Sequence, residues 1–323
     1  MGNITVAILG VEGYGNNIGK KGTSTDITFY NLKKGEDTVT MIEPNRYPER
    51  LAPLFYAVSL SKAALVVVDQ LDATFGECLV MLQCSEIKSG IFVLRNYIPK
   101  EKIQPLIKGT SLEAFEFLSD DANMIREKLL AEAAKQKPVE IAAGLQPAGV
   151  VPVDHALNVK GVGVVVLGVV SSGLVEKHAS LKVLPGVKVA QVRSIQKHDD
   201  EFDNAAEGDR AGLALKNVEV EDVDRGAVLT NVPSVKISVK LEVPASLVKY
   251  WQTPIKQGMV MHLGHWTQFI TAKVDAIAEN VDPKKPKLTL TLEKPLVYRQ
   301  NDKATLMYLD GAKLRVAGTV DLQ

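Results

Sequence analysis

The periodicity of this 323-residue chain changes near Lys135, and that change limits the fold more than any motif does. Before it, apolar runs alternate with segments of helical spacing. Ile4 to Leu9, Asp26 to Leu32, Thr38 to Ile42, Ala64 to Asp69, Gly90 to Leu94 and Ala114 to Leu118 read as strands. Arg50 to Ser61, Phe75 to Ile87, Lys100 to Lys108 and Asp121 to Lys135 read as helices. Such alternation predicts an α/β layer around a parallel sheet, with the continuous run Ala64 to Asp69 buried on both faces. Gln136 to Gly149, with two prolines and two glycines, reads as a linker. Beyond it helical spacing nearly vanishes, and short Val-rich runs recur between Gly and Pro: Gly163 to Val170, Val187 to Ile195 and Ala211 to Leu215, then, after Pro233, Val235 to Val243, Met259 to Leu263, Trp266 to Ala278, Lys287 to Pro295 and Lys313 to Asp321. Many short strands at close spacing favour closure, so two successive β-barrels are expected. The expected divisions are 1–138 (α/β), 139–232 and 233–323 (one barrel each).

Charge narrows the partners. Lys plus Arg equals Asp plus Glu at 38 each, so no global field draws nucleic acid, and any RNA contact must come from local patches. A general nucleic-acid coat and a DNA-binding role are not expected. The chain enters its first strand without a basic leader, and no apolar run reaches the roughly 20 residues that span a bilayer. A cytoplasmic protein without a membrane partner is the expectation. Cys78 and Cys84 stand six apart on different faces of one helix, with no CxxC or Cys/His cluster, and read as reduced packing residues. His262 and His265 lack a third ligand and do not make a zinc site.

One segment carries the frame of a chemistry without its groups. Gly10-Val-Glu-Gly-Tyr-Gly-Asn-Asn17 follows a strand, and Gly10 and Gly15 have the spacing of a phosphate-binding loop. In that loop a lysine neutralises the β- and γ-phosphates and a hydroxyl binds Mg²⁺; here Asn16 and Asn17 hold those positions. Shifting the frame to Gly19-Lys20 fails, because the first glycine and the hydroxyl are then missing.

The stretch Val151 to Gly173 begins Val-Pro-Val-Asp-His-Ala-Leu-Asn-Val-Lys-Gly and is more specific than generic β sequence. Together with Leu184-Pro185, Val192 to Gln196, Ala206 to Leu215 and Arg225-Gly-Ala-Val-Leu229, it resembles the second domain of the SelB branch of translational GTPases, relatives of EF-Tu that deliver a special aminoacyl-tRNA to the ribosome. The likeness is to archaeal SelB-like factors, including the pyrrolysine-associated type. Leu314-Arg-Val-Ala-Gly318 similarly resembles the last strand of the third domain.

That resemblance implies a P-loop GTPase-like domain ahead of the two barrels, and this one reads as degenerate. Lys21 to Asp26 matches the first switch segment, with Ser24 at the Mg²⁺-sensing Thr. Glu43-Pro-Asn-Arg-Tyr47 stands at Asp-x-Pro-Gly-His, so Glu43 replaces the metal-side Asp and Tyr47 the water-positioning His. Arg95 to Ile98 stands at the guanine-reading motif and lacks its carboxylate. Only Ile18 to Lys20 separate the loop from the switch segment, where the family has a full helix. Gly10, Gly15, Asn16, Asn17, Ser24 and Glu43 are therefore the remnant of a nucleotide site; GTP and Mg²⁺ are the cofactors the family implies, neither is expected at ordinary tightness, and no catalytic residue is assigned. In the family's second domain an Asp, a His and an Arg line the aminoacyl pocket, and Asp154, His155 and Arg210 match them one for one.

The leading expectation is a translation elongation factor-like protein that binds a subset of aminoacyl-tRNAs and works with the ribosome, with GTP binding and hydrolysis weakened or lost. A non-catalytic interaction module on a ribosome or synthetase surface is the alternative, and an active GTP switch with an unconventional loop is the third. The family's C-terminal mRNA-reading region is not expected in a chain that stops at Gln323.

Overall fold

The computed structural model describes residues 2–136, 147–278, 282–311 and 314–323. Two compact units emerge: Met1–Lys137 with Val248–Thr253 and Met307–Gly318, and Pro138–Leu247 with Pro254–Leu306 and Thr319–Gln323. Most of the expected linker, and Lys313 at the start of the expected last strand, lie outside the described residues.

In the first unit, β1 (Asn3–Leu9), β2 (Lys20–Ser24), β3 (Ile27–Lys34), β4 (Asp37–Pro44), β5 (Ala63–Val68), β6 (Ser89–Leu94) and β7 (Glu116–Leu118) form one sheet in the order β2-β3-β4-β1-β5-β6-β7. The sheet is mixed rather than parallel. From β4 to β7 every pairing is parallel, whereas β2, β3 and β4 make an antiparallel meander. The cause is local: Gly35, with φ of 61°, turns β3 directly into β4, leaving no room for a crossover helix. The switch-like segment Lys21 to Asp26 correspondingly becomes β2 and its turn.

Helices α1 (Leu51–Ser59), α2 (Ala73–Cys84), α3 (Lys100–Ile107) and α4 (Ala122–Ala134) complete the unit. Asp72 caps α2 by accepting from the Phe75 N–H at 2.8 Å, and Asp121 caps α4 through the N–H groups of Asn123 and Met124. Ile125, Leu129 and Ala133 of α4 pack on Ile4, Val6 and Ile8 of β1. All six residues of β5 are buried. Cys78 and Cys84 are both buried as free thiols.

The second unit is all-β. Its first barrel uses β8 (Gly149–Val159), β9 (Gly163–Val169), β10 (Ser172–Glu176), β11 (Ser180–Leu184), β12 (Val189–Lys197), β13 (Asp200–Phe202), β14 (Asn204–Ala206), β15 (Arg210–Lys216) and β16 (Val228–Thr230). It closes through β8-β16-β11-β12-β15-β9 and back to β8, with β10, β13 and β14 on its margin. A second closed barrel runs β17-β20-β19-β18-β21-β22, from β17 (Val235–Leu247), β18 (Val260–His265), β19 (Gln268–Ala278), β20 (Lys287–Arg299), β21 (Lys303–Met307) and β22 (Val316–Asp321). Val150, Leu184 and Val228 of the first barrel meet Trp266 and Val297 of the second in one buried cluster.

Candidate functional site

The glycine loop leaves β1 at the carboxyl end of the parallel strands, where open α/β sheets place their ligands. Gly10 has φ of 103°, and a Cβ there would lie 1.9 Å from the Val67 carbonyl oxygen, so this position needs glycine for the turn itself. A single 3₁₀ turn, Tyr14–Asn17, follows, and β2 begins at Lys20. No α-helix intervenes to add its dipole.

The loop amides are taken by a side chain of the protein. Ile42 of β4 pairs with Ala7 of β1, which brings Glu43, one residue on, beside the start of the loop. Glu43 is 2% exposed and its carboxylate accepts from the Gly13 N–H and, at 2.9 Å, from the Gly15 N–H. Burial pushes its carboxyl above the ordinary value of 4.5, with Glu12 adding to the rise, while the Gly15 and Gly13 amides and Lys21 pull the other way. The Tyr30 ring covers Gly15 so closely that a Cβ would fall 2.3 Å from it.

The other remnant residues are engaged locally. Asn16 donates its amide to the Gly13 carbonyl at 2.9 Å. The Asn17 and Ile18 carbonyls accept from the Arg126 guanidinium of α4. Ser24 Oγ lies 2.8 Å from Thr28 Oγ1, which is itself bonded to Asn45. Toward β6, Arg95 pairs with Asp120 at 3.1 Å and Asp69 at 3.6 Å, and the Tyr14 hydroxyl donates to Asp120 at 2.6 Å. The structure thus brings Gly15 and Glu43 together and leaves Ser24 on a different network.

A second network in this unit was not singled out from sequence. Glu77, the single charged residue of α2 and 4% exposed, accepts from the Arg315 backbone N–H at 2.8 Å and from its guanidinium at 3.2 and 2.6 Å. Tyr47 places its hydroxyl 3.1 Å from Glu77 and 3.0 Å from the Thr74 carbonyl, and burial raises its pKa far beyond the ordinary tyrosine range. The available signal was a lone acid inside an otherwise uncharged helix.

In the first barrel the three matched residues converge. Val153 pairs with Gly168 and His155 with Leu167, so Asp154 is the extra residue of a β-bulge, and its side chain turns inward. Asp154 is 1% exposed and accepts two bonds from Arg210, at 3.0 and 3.1 Å. His155 Nδ1 lies 2.5 Å from Asp154 Oδ1. Arg225 joins them: its Nε donates to the Asp154 carbonyl at 2.8 Å and its Nη2 lies 3.5 Å from His155 Nε2. A guanidinium has only donors, so this contact leaves the Nε2 lone pair toward Arg225 and the Nδ1 proton toward Asp154. Burial by itself would raise the Asp154 pKa; the charge of Arg210 and the hydrogen bonds from His155 and Arg210 outweigh it and hold the carboxyl below 3.8. The Asp154 carboxylate therefore orients one guanidinium and an imidazole, and its backbone carbonyl a second guanidinium, a lining suited to a soft anion or a polar side chain. Arg225 stood in the Arg225-to-Leu229 motif without being assigned to the site.

In the second barrel, His262 packs on Phe269 with ring centroids 5.1 Å apart and His265 on Trp266 at 4.3 Å. Among the described residues no group of three or more His, Cys, Asp or Glu is placed to hold a metal ion.

Residues 163–230 match the family model of elongation factor Tu domain 2. An uncharacterized protein of Methanocaldococcus jannaschii is 37% identical over 98% of this chain and 99% of its own length. The selenocysteine-specific elongation factor of the same organism is 25% identical over 93% of this chain and 71% of its own. The chain belongs to the EF-Tu/SelB-like translation factors. The fold agrees: the crystal structure of SelB from Methanococcus maripaludis in complex with the GTP analogue GppNHp superposes with a TM-score of 0.81 over 100% of this chain and 79% of that one, at 21% identity.

Proposed function

We propose that this EF-Tu/SelB-like factor binds aminoacyl-tRNA through the first barrel and does so without a guanine-nucleotide switch, GTP binding and hydrolysis being weakened or lost. Its workplace is the cytoplasm and its larger partner the ribosome. The observation that carries the reading is the Asp154, His155, Arg210 and Arg225 cluster, in which the buried carboxylate of Asp154 holds His155 and Arg210 and its backbone carbonyl holds Arg225. Loss of the switch is supported by the loop, whose amides already hold Glu43, and by Asn16 and Asn17 in place of the phosphate lysine and the metal hydroxyl.

A structural reading of the pair has its own support, since the Asp154–Arg210 bridge links β8 to β15 across β9 and is almost fully buried. His155 separates the two readings, because it hangs on the bridge without being part of it. Protection of the aminoacyl ester from spontaneous hydrolysis is the measurement. His155→Ala is expected to weaken protection about tenfold, roughly 1.4 kcal/mol, with a smaller fall in melting temperature than Asp154→Asn. Absence of protection by the wild-type chain overturns the reading in favour of a non-catalytic interaction module. Saturable Mg²⁺-dependent binding of a fluorescent guanine nucleotide to the wild type overturns its nucleotide half.

A further inference from the structure

We propose that Glu43 is a built-in phosphate surrogate: its carboxylate permanently fills the anion position of the glycine loop and holds that loop folded with no nucleotide present. The inference deepens the nucleotide-independent half of the function above and is independent of the tRNA half. Three features carry it. The two carboxylate oxygens divide between two backbone donors, one accepting from Gly13 and the other from Gly15, as two oxygens of a phosphate would. The contact is sealed, because Glu43 and Gly15 are buried and the Tyr30 ring lies over Gly15, so an entering phosphate would have to displace the side chain. The turn that follows is closed from within as well, by the Arg126 guanidinium on the Asn17 and Ile18 carbonyls.

The length of the side chain matters. An aspartate at position 43 would retract the carboxylate by one carbon, about 1.5 Å, and the 2.9 Å bond to Gly15 would pass out of hydrogen-bonding range. An acid one methylene longer than the metal-side aspartate of the family thus converts a residue facing the cation into one that replaces the anion.

Chemical rescue tests this on the full chain. Hydrogen exchange at Gly13 and Gly15 and the melting temperature are measured for wild type, Glu43→Ala, Glu43→Asp and Glu43→Gln, each with and without millimolar acetate or inorganic phosphate. Glu43→Ala and Glu43→Asp are expected to melt about 4–8 °C lower and to exchange both amides faster, since a half-buried and a buried donor lose their acceptor. Added anion is expected to restore part of the protection in Glu43→Ala and to leave the wild type unchanged. Wild-type exchange at both amides in Glu43→Ala, or an anion effect of equal size on the wild type, overturns the proposal. Should Glu43→Ala not fold, Glu43→Gln decides: it keeps one acceptor oxygen and is expected to expose one of the two amides, and full protection of both overturns the proposal. Aminoacyl-tRNA protection is scored separately, so its failure leaves the Glu43 result standing.

Discussion

Two buried carboxylates show how a residue's surroundings set its role. Glu43 has its carboxyl raised, chiefly by burial, so the stability tied to its protonation is fully present below the unfolded-state value and is lost as pH rises through the folded one. Asp154 is held low by Arg210 and His155 against the cost of burial, so its contribution is present above the unfolded-state value and is lost as pH falls through the folded one. Thermal melts across pH should therefore show opposite signs: Glu43→Gln removes a loss of stability as pH rises past the unfolded-state value, and Asp154→Asn removes a loss as pH falls below it. At neutral pH Asp154→Asn is expected to cost about 3 kcal/mol, because the half-buried Arg210 guanidinium loses the charge that faces it. Glycines divide in the same way. Gly10→Ala should destabilise by about 2 kcal/mol or more, since the left-handed turn meets the Val67 carbonyl. Gly76→Ala meets open space within a helix and should stabilise by about 0.5–1 kcal/mol. Only the backbone angle and the neighbouring atoms tell the two apart.

At the scale of elements, α2 is fastened rather than free. Asp72 caps its start, and Glu77 near its middle holds Arg315 and the Tyr47 hydroxyl. Arg315→Met leaves the Glu77 charge buried without its counter-charge, with an expected loss of about 3 kcal/mol in denaturant unfolding; Glu77→Met combined with Arg315→Met should regain most of it. The positions of strands and helices were largely legible, because apolar period and caps are local signals: α4 between Asp121 and Lys135 and β5 in its Ala-Leu-Val run fell where pattern placed them. The antiparallel β2-β3-β4 meander was not legible as such, since it depends on how Gly35 turns the chain and on what β4 then pairs with. The Glu77–Arg315 bond joins residues 238 apart, a separation no local pattern reports. In the barrel, Asp154, His155 and Arg210 were legible only through their motif; that Arg225 completes them follows from the bulge that turns Asp154 inward.

For the molecule as a whole, a formal charge of zero hides an uneven distribution. Residues 233–323 hold 13 Lys and Arg against eight Asp and Glu, so the last 91 residues of the sequence carry a basic excess. Any affinity for a polyanion should accordingly fall with rising salt, although the net charge would suggest indifference. The central claim is that aminoacyl-tRNA binding has been kept while the nucleotide switch has been replaced by internal contacts. Its most direct test is the dissociation constant for aminoacyl-tRNA, taken from ester protection with nucleotide-stripped protein, then with GTP and Mg²⁺, then with GDP and Mg²⁺. The account predicts one constant, the same under all three conditions. Protection that appears only with GTP, or that differs tenfold or more between GTP and GDP, would contradict it.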